Sequence, residues 1–383
     1  MRIAFYAPMK APAYPTRSGD RQIARSILEA LNTAGHEIHV ASSLRSRDGG
    51  GELRRQQRIR ALGARLAARL LRRYGAVPAS HRPELWFTYH VYHKAPDWLG
   101  PPVARALGIP YVIAEASSAP KQARGPWRIG HESAGEAIAA AAAVFNLNPG
   151  DAACVQQLMG DPRRLVALAP FVDTAAFPSA DATGNTRQML ARHYRLTSAD
   201  PWLIVVAMMR PGNKRDSYQL LAEALATIDA RPWRLIVVGD GVMRAEVEAL
   251  FAGFAPGRVV FTGALGSEPL RTLMAEADLF VWPGVREPIG MAMLEAQAAG
   301  LPVVTGHGPG IASIVHDGRT GRLVPRGDVT AFAGAVASLL DAPQDRATLG
   351  AQARQGAVKD HDISAASAAL DGVLRGLRAG SWP

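Results

Sequence analysis

The amino-acid sequence predicts an α/β protein made of two doubly wound, Rossmann-like domains facing each other across a cleft. Three observations carry this reading. Short, nearly continuous apolar runs alternate with helical stretches, the pattern of parallel strands covered on both faces. The runs fall into two series, parted by a stretch rich in Pro, Ala, Thr and Asp, "FVDTAAFPSADATGNT" at 171–186. The chain has 383 residues, long enough for two separate cores. The expected division is a first domain over 1–175, a linker over 176–200, a second domain over 201–360 and a closing helical segment over 361–383.

In the first domain the strand runs are "RIAFYAP", "EIHVASS", "ELWFTYH", "YVIAEA", "VFNLNP" and "LVALAP". After the first run the chain is irregular until about Ser18. Gly19 then permits a close backbone approach, and Arg21 falls in the first turn of the next helix. The third run ends in His90 and His93. A lone histidine is more often structural, but two at a strand end beside a cleft are candidate active-site residues, because open α/β sheets bind ligands at the carboxyl ends of their strands. The fourth run ends in Glu115, followed by Ser117 and Ser118.

The second series reads "WLIVVAMM", "RLIVVGDG", "VVFTGAL", "LFVWPG", "PVVTGHG" and "GRLVPRGD". Its first strand leads into Arg210, Lys214 and Arg215. Cations on a strand-to-helix loop suit a diphosphate, though a basic surface loop reads the same way. The second strand ends in Gly239 and Gly241. This is a nucleotide-type turn without the third glycine of a dinucleotide fingerprint, or simply a tight turn. The fourth strand leads to "REPIGMAMLEAQAAG", where a helix starts near Gly290 and stops at Gly300, before Pro302. Glu287 sits ahead of that helix and Glu295 inside it. Eight residues of helix rise about 12 Å, which puts the two carboxylates roughly 10 Å apart. Retaining glycosidases place their acid and nucleophile about 5 to 5.5 Å apart, so these two hold different parts of one extended ligand rather than acting on one atom. An acid at a helix start is favoured by the dipole. That accounts for Glu287 alone and not for a glutamate in the middle of "MAMLEAQAA". The N–H groups around Ile289, Gly290 and Met291 are available to the same ligand.

Composition bounds the function. The net charge is +10 and is concentrated at 45–73, where ten arginines meet two acids. Ile59, Leu62, Leu66 and Leu70 recur there at helical spacing, so the stretch is a basic amphipathic helix. It either docks on its own domain with a solvated basic face or meets an anionic lipid or acceptor. No nucleic-acid-binding signature is present. A single cysteine, Cys154, excludes an intramolecular disulfide and suits a cytoplasmic protein. No signal peptide and no apolar run of spanning length is seen. There is no nucleophile elbow, HExxH or Walker A motif, and no metal site is expected.

The stretch "EPIGMAMLEAQAAGLPVVTGHGPGIASIVHDGRTGRLVPRGD", with "LIVVGDG", "VVFTGAL" and "PFVDTAAF" in the same order, resembles the signature of family-four retaining glycosyltransferases of the GT-B fold (glycosyl transferases group 1). The likeness is specific over about 165–330, and "SGDRQIARSILEALNTAGHEIHV" extends it into the first domain. The resemblance implies a nucleotide-diphosphate sugar donor, a UDP- or GDP-sugar, held by the second domain without a metal. Glu295 matches the residue that binds the ribose hydroxyls, Glu287 the residue near the sugar, and Lys214 the diphosphate lysine. The backbone of Ile289, Gly290 and Met291 serves sugar and phosphate. It also implies a sugar or lipid-linked acceptor on the first domain, a C-terminal helix crossing back to that domain, and a protein of the cytoplasm or the inner face of the membrane. Three departures stand out. Met209 replaces the family's arginine, with Arg210 beside it. Gly308-Pro309-Gly310 replaces a Gly-Gly turn. Ala116, after Glu115, replaces a first-domain histidine, which leaves His90 or His93 as substitutes. A GT-B epimerase or phosphorylase, or a silent sugar-nucleotide binder, remains the alternative.

Overall fold

A computed structural model describes residues 1–15, 18–178, 180 and 184–382. It divides into two compact units, Met1–Ala169 with Ile363–Pro383, and Pro170–Asp362. The first break therefore falls at 169/170 rather than after 175. The expected linker belongs to the second unit and includes the helix Asn185–Tyr194; positions 179 and 181–183 of it lie outside the described residues.

The first unit holds six parallel strands: β1 (Arg2–Tyr6), β2 (Glu37–Ser42), β3 (Leu85–Val91), β4 (Tyr111–Ala116), β5 (Ala143–Asn146) and β6 (Leu165–Ala167), in the order β2-β1-β3-β4-β5-β6. The strand order reverses between β1 and β3. Phe87 of β3 is stacked between Phe5 of β1, 6.0 Å away, and Phe145 of β5, 6.2 Å away, all fully buried. Each such ring contributes about 1.5–3 kcal/mol by leaving water. Ser18 caps the helix Gly19–Thr33 by accepting from the Arg21 N–H at 3.3 Å. The last helix, Ile363–Ala379, belongs to this unit and packs on Gly19–Thr33, with the Ser367 hydroxyl donating to the Ala30 carbonyl at 2.8 Å.

The basic stretch forms the helix Leu53–Gly75, whose inward face keeps Leu70 and, in part, Leu66 of the expected apolar set. Gln56, Gly63, Ala67, Leu70 and Tyr74 face the core, whereas Leu62 is 38% exposed. The helix is turned toward its small residues because Trp98 comes so close that a Cβ on Gly63 would lie 2.4 Å from the Trp98 Cβ. Arg54, Arg55, Arg58, Arg60, Arg65, Arg69, Arg72 and Arg73 are all exposed; among the described residues only Arg55 and Arg58 are paired with acids, Asp48 and Glu52 just ahead of the helix.

The second unit holds β7 (Trp202–Val206), β8 (Arg234–Val238), β9 (Val259–Gly263), β10 (Leu279–Trp282), β11 (Val303–Gly306) and β12 (Gly321–Val324), all parallel, in the order β12-β11-β10-β7-β8-β9. This is the dinucleotide-fold order, with its reversal between β7 and β10. The loops leaving those two strands carry the candidate residues. Among the described residues no helix is long and apolar enough to cross a membrane.

Candidate active site

The expected residues divide between the units: Gly19, His90 and His93 in the first, the others in the second. In the second unit the loop after β10 turns through Arg286, whose φ of 56° is costly for a residue with a Cβ, by about 1–3 kcal/mol. The Glu287 N–H closes that turn on the Gly284 carbonyl at 3.1 Å, and the Val285 N–H is tied to the Ser217 hydroxyl at 3.0 Å. Glu287 is thereby brought to Lys214, the second residue of the helix Asn213–Ala226; the ammonium donates to its Oε2 at 2.5 Å. Trp282, at the end of β10, supports both. Its indole N–H donates to the same Oε2 at 3.2 Å, and Lys214 Nζ lies 5.1 Å from its ring centroid. The sequence reading gives Trp282 no role; a tryptophan ending a strand ahead of Pro-Gly is the available signal.

Gly290 opens the helix Met291–Ala298 with φ 81°, a left-handed start that leaves Ile289 buried and the first N–H groups without intrahelical acceptors. Glu295 is half-buried in this helix and accepts no hydrogen bond among the described residues. Burial pushes its carboxyl up to about 7, against the opposing charge of Arg271 on the helix Ser267–Glu276, a neighbour the sequence reading did not name. A side chain so placed is ready to accept from hydroxyl groups. Nearby, an open cavity of about 520 Å³ is lined by His307, Leu323, Val324, Pro325 and Arg326. Gly308, next in the chain to His307, would place a Cβ 4.0 Å from the Glu287 carbonyl oxygen.

Met209 is fully buried, whereas Arg210 is exposed on the loop leading to Lys214. Arg215 is engaged elsewhere, donating to Glu246 Oε1 at 2.6 Å. Gly239 and Gly241 have a backbone reason to be glycine. Their φ values are 148° and 156°, and a Cβ on them would meet the Ala207 and Met209 carbonyl oxygens at 1.9 and 2.1 Å.

In the first unit, His90 and Glu115 sit side by side at the ends of β3 and β4, both left-handed, with φ of 65° and 62°. Two such residues store about 1–3 kcal/mol each. The His90 Nδ1 is hydrogen-bonded to Asp20 Oδ1 at 2.9 Å, and Asp20 lies in the first turn of Gly19–Thr33, next to Gly19. Burial alone would lower the imidazole's pKa. The Asp20 hydrogen bond and charge, with Glu115 and Asp151, outweigh it and hold the pKa above its ordinary value. Burial pushes the Glu115 carboxyl up to about 7, offset in part by the charge of His90 and by the Leu147 N–H donating to Oε2 at 3.1 Å. His93 is not brought into this cluster. Burial and then Lys94 lower its pKa to about 4, and its Nδ1 has no partner among the described residues. Asp20 and Asp151 were missed in the sequence because an acid at a helix start is an ordinary cap-region residue. Among the described residues no group of three or more His, Cys, Asp or Glu is placed to hold a metal.

Residues 200–342, which contain every candidate residue of the second unit, match the family described as glycosyl transferases group 1. The match lies within the second unit, and solved structures share the GT-B fold over nearly the whole chain. A sucrose-phosphate synthase from Thermosynechococcus elongatus superposes with a TM-score of 0.75 over 99% of this chain and 100% of its own, at 21% identity. Anabaena HepE, solved in complex with UDP-glucose, superposes with a TM-score of 0.72 over 98% of this chain and 100% of its own, at 17% identity. Among curated relatives, a sulfoquinovosyl transferase of Arabidopsis thaliana is 33% identical over 42% of this chain. A GDP-mannose-dependent alpha-(1-6)-phosphatidylinositol monomannoside mannosyltransferase of Mycolicibacterium smegmatis is 31% identical over 57% of it. The matched stretches span 31% and 58% of those relatives' own lengths.

Proposed function

We propose that this protein is a retaining glycosyltransferase that moves a hexose from a nucleotide-diphosphate sugar to an acceptor hydroxyl, in polysaccharide or glycolipid synthesis. The observation that carries the reading is the division of labour at the sheet reversal between β7 and β10. Glu287 is held by Lys214 and Trp282, while the carboxylate of Glu295, farther along the same segment, has no hydrogen-bond donor among the described residues. Glu295 accepts from the two ribose hydroxyls. The N–H groups at Ile289, Gly290 and Met291 receive sugar and phosphate oxygens. Glu287 orients the sugar. Lys214 and Arg210 meet the charge that grows on the departing diphosphate, so they act more strongly in the transition state than before it. Positioning supplies the rest. On this reading His90, oriented by Asp20, and His93 serve the acceptor side. The family match, and the named activities of the relatives, support a UDP- or GDP-sugar as donor.

The exposed arginines of Leu53–Gly75 support a peripheral contact with an anionic membrane at its cytoplasmic face, where a lipid-linked acceptor is reached. Each such residue near the surface adds about 1 kcal/mol. Co-sedimentation with vesicles should rise with phosphatidylglycerol content and fall with salt; binding indifferent to lipid charge returns the helix to a solvated surface.

The activity is tested by product analysis. UDP-glucose or GDP-mannose carrying a labelled anomeric carbon is incubated with the full chain and an acceptor panel, and the product is read by NMR. Transfer with the donor's anomeric configuration kept supports the reading. An inverted product, or phosphate-dependent release of a sugar phosphate, refutes it.

A further inference from the structure

Three neighbouring strands of the second sheet, β10, β11 and β12, end in loops that are tied to one another. The Gly306 N–H donates to the Pro283 carbonyl at 3.0 Å, and the His307 N–H to the Val324 carbonyl at 2.8 Å. A Cβ on Gly306 would lie 2.4 Å from the Pro283 carbonyl oxygen and 3.7 Å from the Arg326 Cα. A Cβ on Gly308 would lie 3.5 Å from Arg326 Nη2 and 4.0 Å from the Glu287 carbonyl oxygen. Both of these distances start from one point, so the Arg326 guanidinium and the Glu287 backbone flank the same glycine.

Arg326 is exposed and lines the cavity of about 520 Å³ together with His307, Leu323, Val324 and Pro325. That volume is in the range of small-molecule sites, about 300–1,000 Å³. The guanidinium reaches no carboxylate among the described residues. It reaches back only to the His307 carbonyl, with Nε and Nη2 each at 3.4 Å. Contacts that long leave most of its donors unspent. The acids on the surrounding loops are engaged elsewhere. Glu287 is paired with Lys214, Asp317 accepts from the Leu323 N–H at 2.9 Å, and Asp328 accepts from the Ala331 N–H at 2.8 Å. A neutral sugar is satisfied by carboxylates and backbone groups that pair with its hydroxyls. An unneutralised guanidinium suits a planar carboxylate, which takes two parallel N–H bonds from the fork.

We propose that Arg326 reads a carboxylate on the donor sugar, so that the sugar transferred is a hexuronate, its acidic group entering the cavity beside His307. This rests on the reading of Glu287 as the residue that orients the donor sugar. It adds the substrate class: a nucleotide-activated sugar acid in preference to the neutral hexose. Because Lys214 neutralises Glu287, no unpaired carboxylate on that loop repels the acid.

Calorimetry on the full chain compares UDP-glucose with UDP-glucuronate and GDP-mannose with GDP-mannuronate. With the base that the protein accepts, the acidic sugar should bind about ten-fold or more tightly than its neutral parent, a difference of about 1.4 kcal/mol. Arg326→Ala should remove that preference. Arg326→Lys should keep part of it, since lysine supplies the charge without the fork. Arg319→Ala takes the same charge from another exposed position between β11 and β12 and should keep the preference whole. The proposal is overturned if neutral and acidic sugars bind alike, or if Arg326→Ala retains the preference. It is also overturned if Arg319→Ala removes the preference as well, because net charge and not a site would then account for it. The donor reading is reported separately. A neutral nucleotide sugar that binds, with its acidic counterpart no better, removes the proposal and leaves that reading standing. Failure of all four nucleotide sugars, and of UDP and GDP with them, removes the donor reading and the proposal together.

Discussion

Replacing Glu295 by glutamine should make the free protein more stable and its nucleotide binding worse, and both effects should depend on pH. Burial carries this carboxyl from an ordinary 4.5 to about 7. At about 1.4 kcal/mol per pH unit, that amounts to about 3 kcal/mol of opposition to charging it in the folded, free protein. The unfolded chain releases this proton at lower pH than the folded one. Stability therefore falls as pH rises from about 4.5 to about 7, and the penalty is complete above that window. Glu295→Gln, which carries no charge, should unfold later than the wild type at pH 8, by up to about 3 kcal/mol, and gain little at pH 4.5. On the proposed placement ribose hydroxyls donate to the ionised form, so nucleotide binding should work in the opposite sense. At pH 6 about a tenth of the carboxyl is ionised, and affinity should be about ten-fold below its value at pH 8. The variant should lose about 1.5–3 kcal/mol of affinity at pH 8 and show no such pH dependence. Calorimetry with UDP-glucose or GDP-mannose suits the test, because their diphosphate diesters do not titrate in this range. Wild-type affinity that is flat from pH 6 to 8, or a variant that keeps both affinity and slope, would refute the placement of Glu295 on the ribose.

Glu287→Ala should abolish most sugar transfer while leaving nucleoside diphosphate binding nearly intact, since the residue meets the sugar and not the nucleotide; an equal loss of both, by calorimetry and turnover, contradicts this. Arg210→Ala and Lys214→Ala should each lower kcat at least ten-fold, and the double variant should fall short of the summed free energies because both act on one diphosphate. Arg215→Ala should cost at most about 1 kcal/mol of stability through its half-exposed partner Glu246 and leave kcat alone; activity lost there instead would show that the loop has been read out of register. Asp20→Asn should lower the His90 pKa, because the hydrogen bond and charge that raise it are gone. The stability this pair adds is present below the ordinary histidine value and lost as pH rises through the raised one. An NMR titration of His90 that does not move would separate the two residues.

The strands were legible because a parallel strand buried on both faces must be apolar throughout, as Leu85–Val91 and Trp202–Val206 are. Glu295 stands out in the sequence for the converse reason: a carboxylate inside an apolar helix is costly unless something satisfies it. The inward face of Leu53–Gly75 was legible only in part: Leu70 is buried and Leu66 packs on the core, but Leu62 is exposed. Packing there is set by Gly63 against Trp98, and a pattern of leucines cannot reveal where a bulky neighbour from another element will fall. Asp20 and His90 are seventy positions apart, and only the β1–β3 adjacency brings them together. The left-handed backbone of His90 and Glu115 leaves no mark on residue type, since neither is glycine. Trp282 reads as core and is core, at 2% exposure; its single N–H makes it part of the site.

Hydrogen–deuterium exchange of the full chain, with and without a saturating nucleotide sugar, tests the central claim most directly. The account predicts protection concentrated in two stretches of the second unit, 209–217 and 286–298, where Arg210, Lys214, Glu287 and Glu295 reside. It predicts that Glu295→Gln, at a concentration restoring saturation, keeps the first and weakens the second. A nucleotide sugar that binds tightly yet protects neither stretch would contradict it.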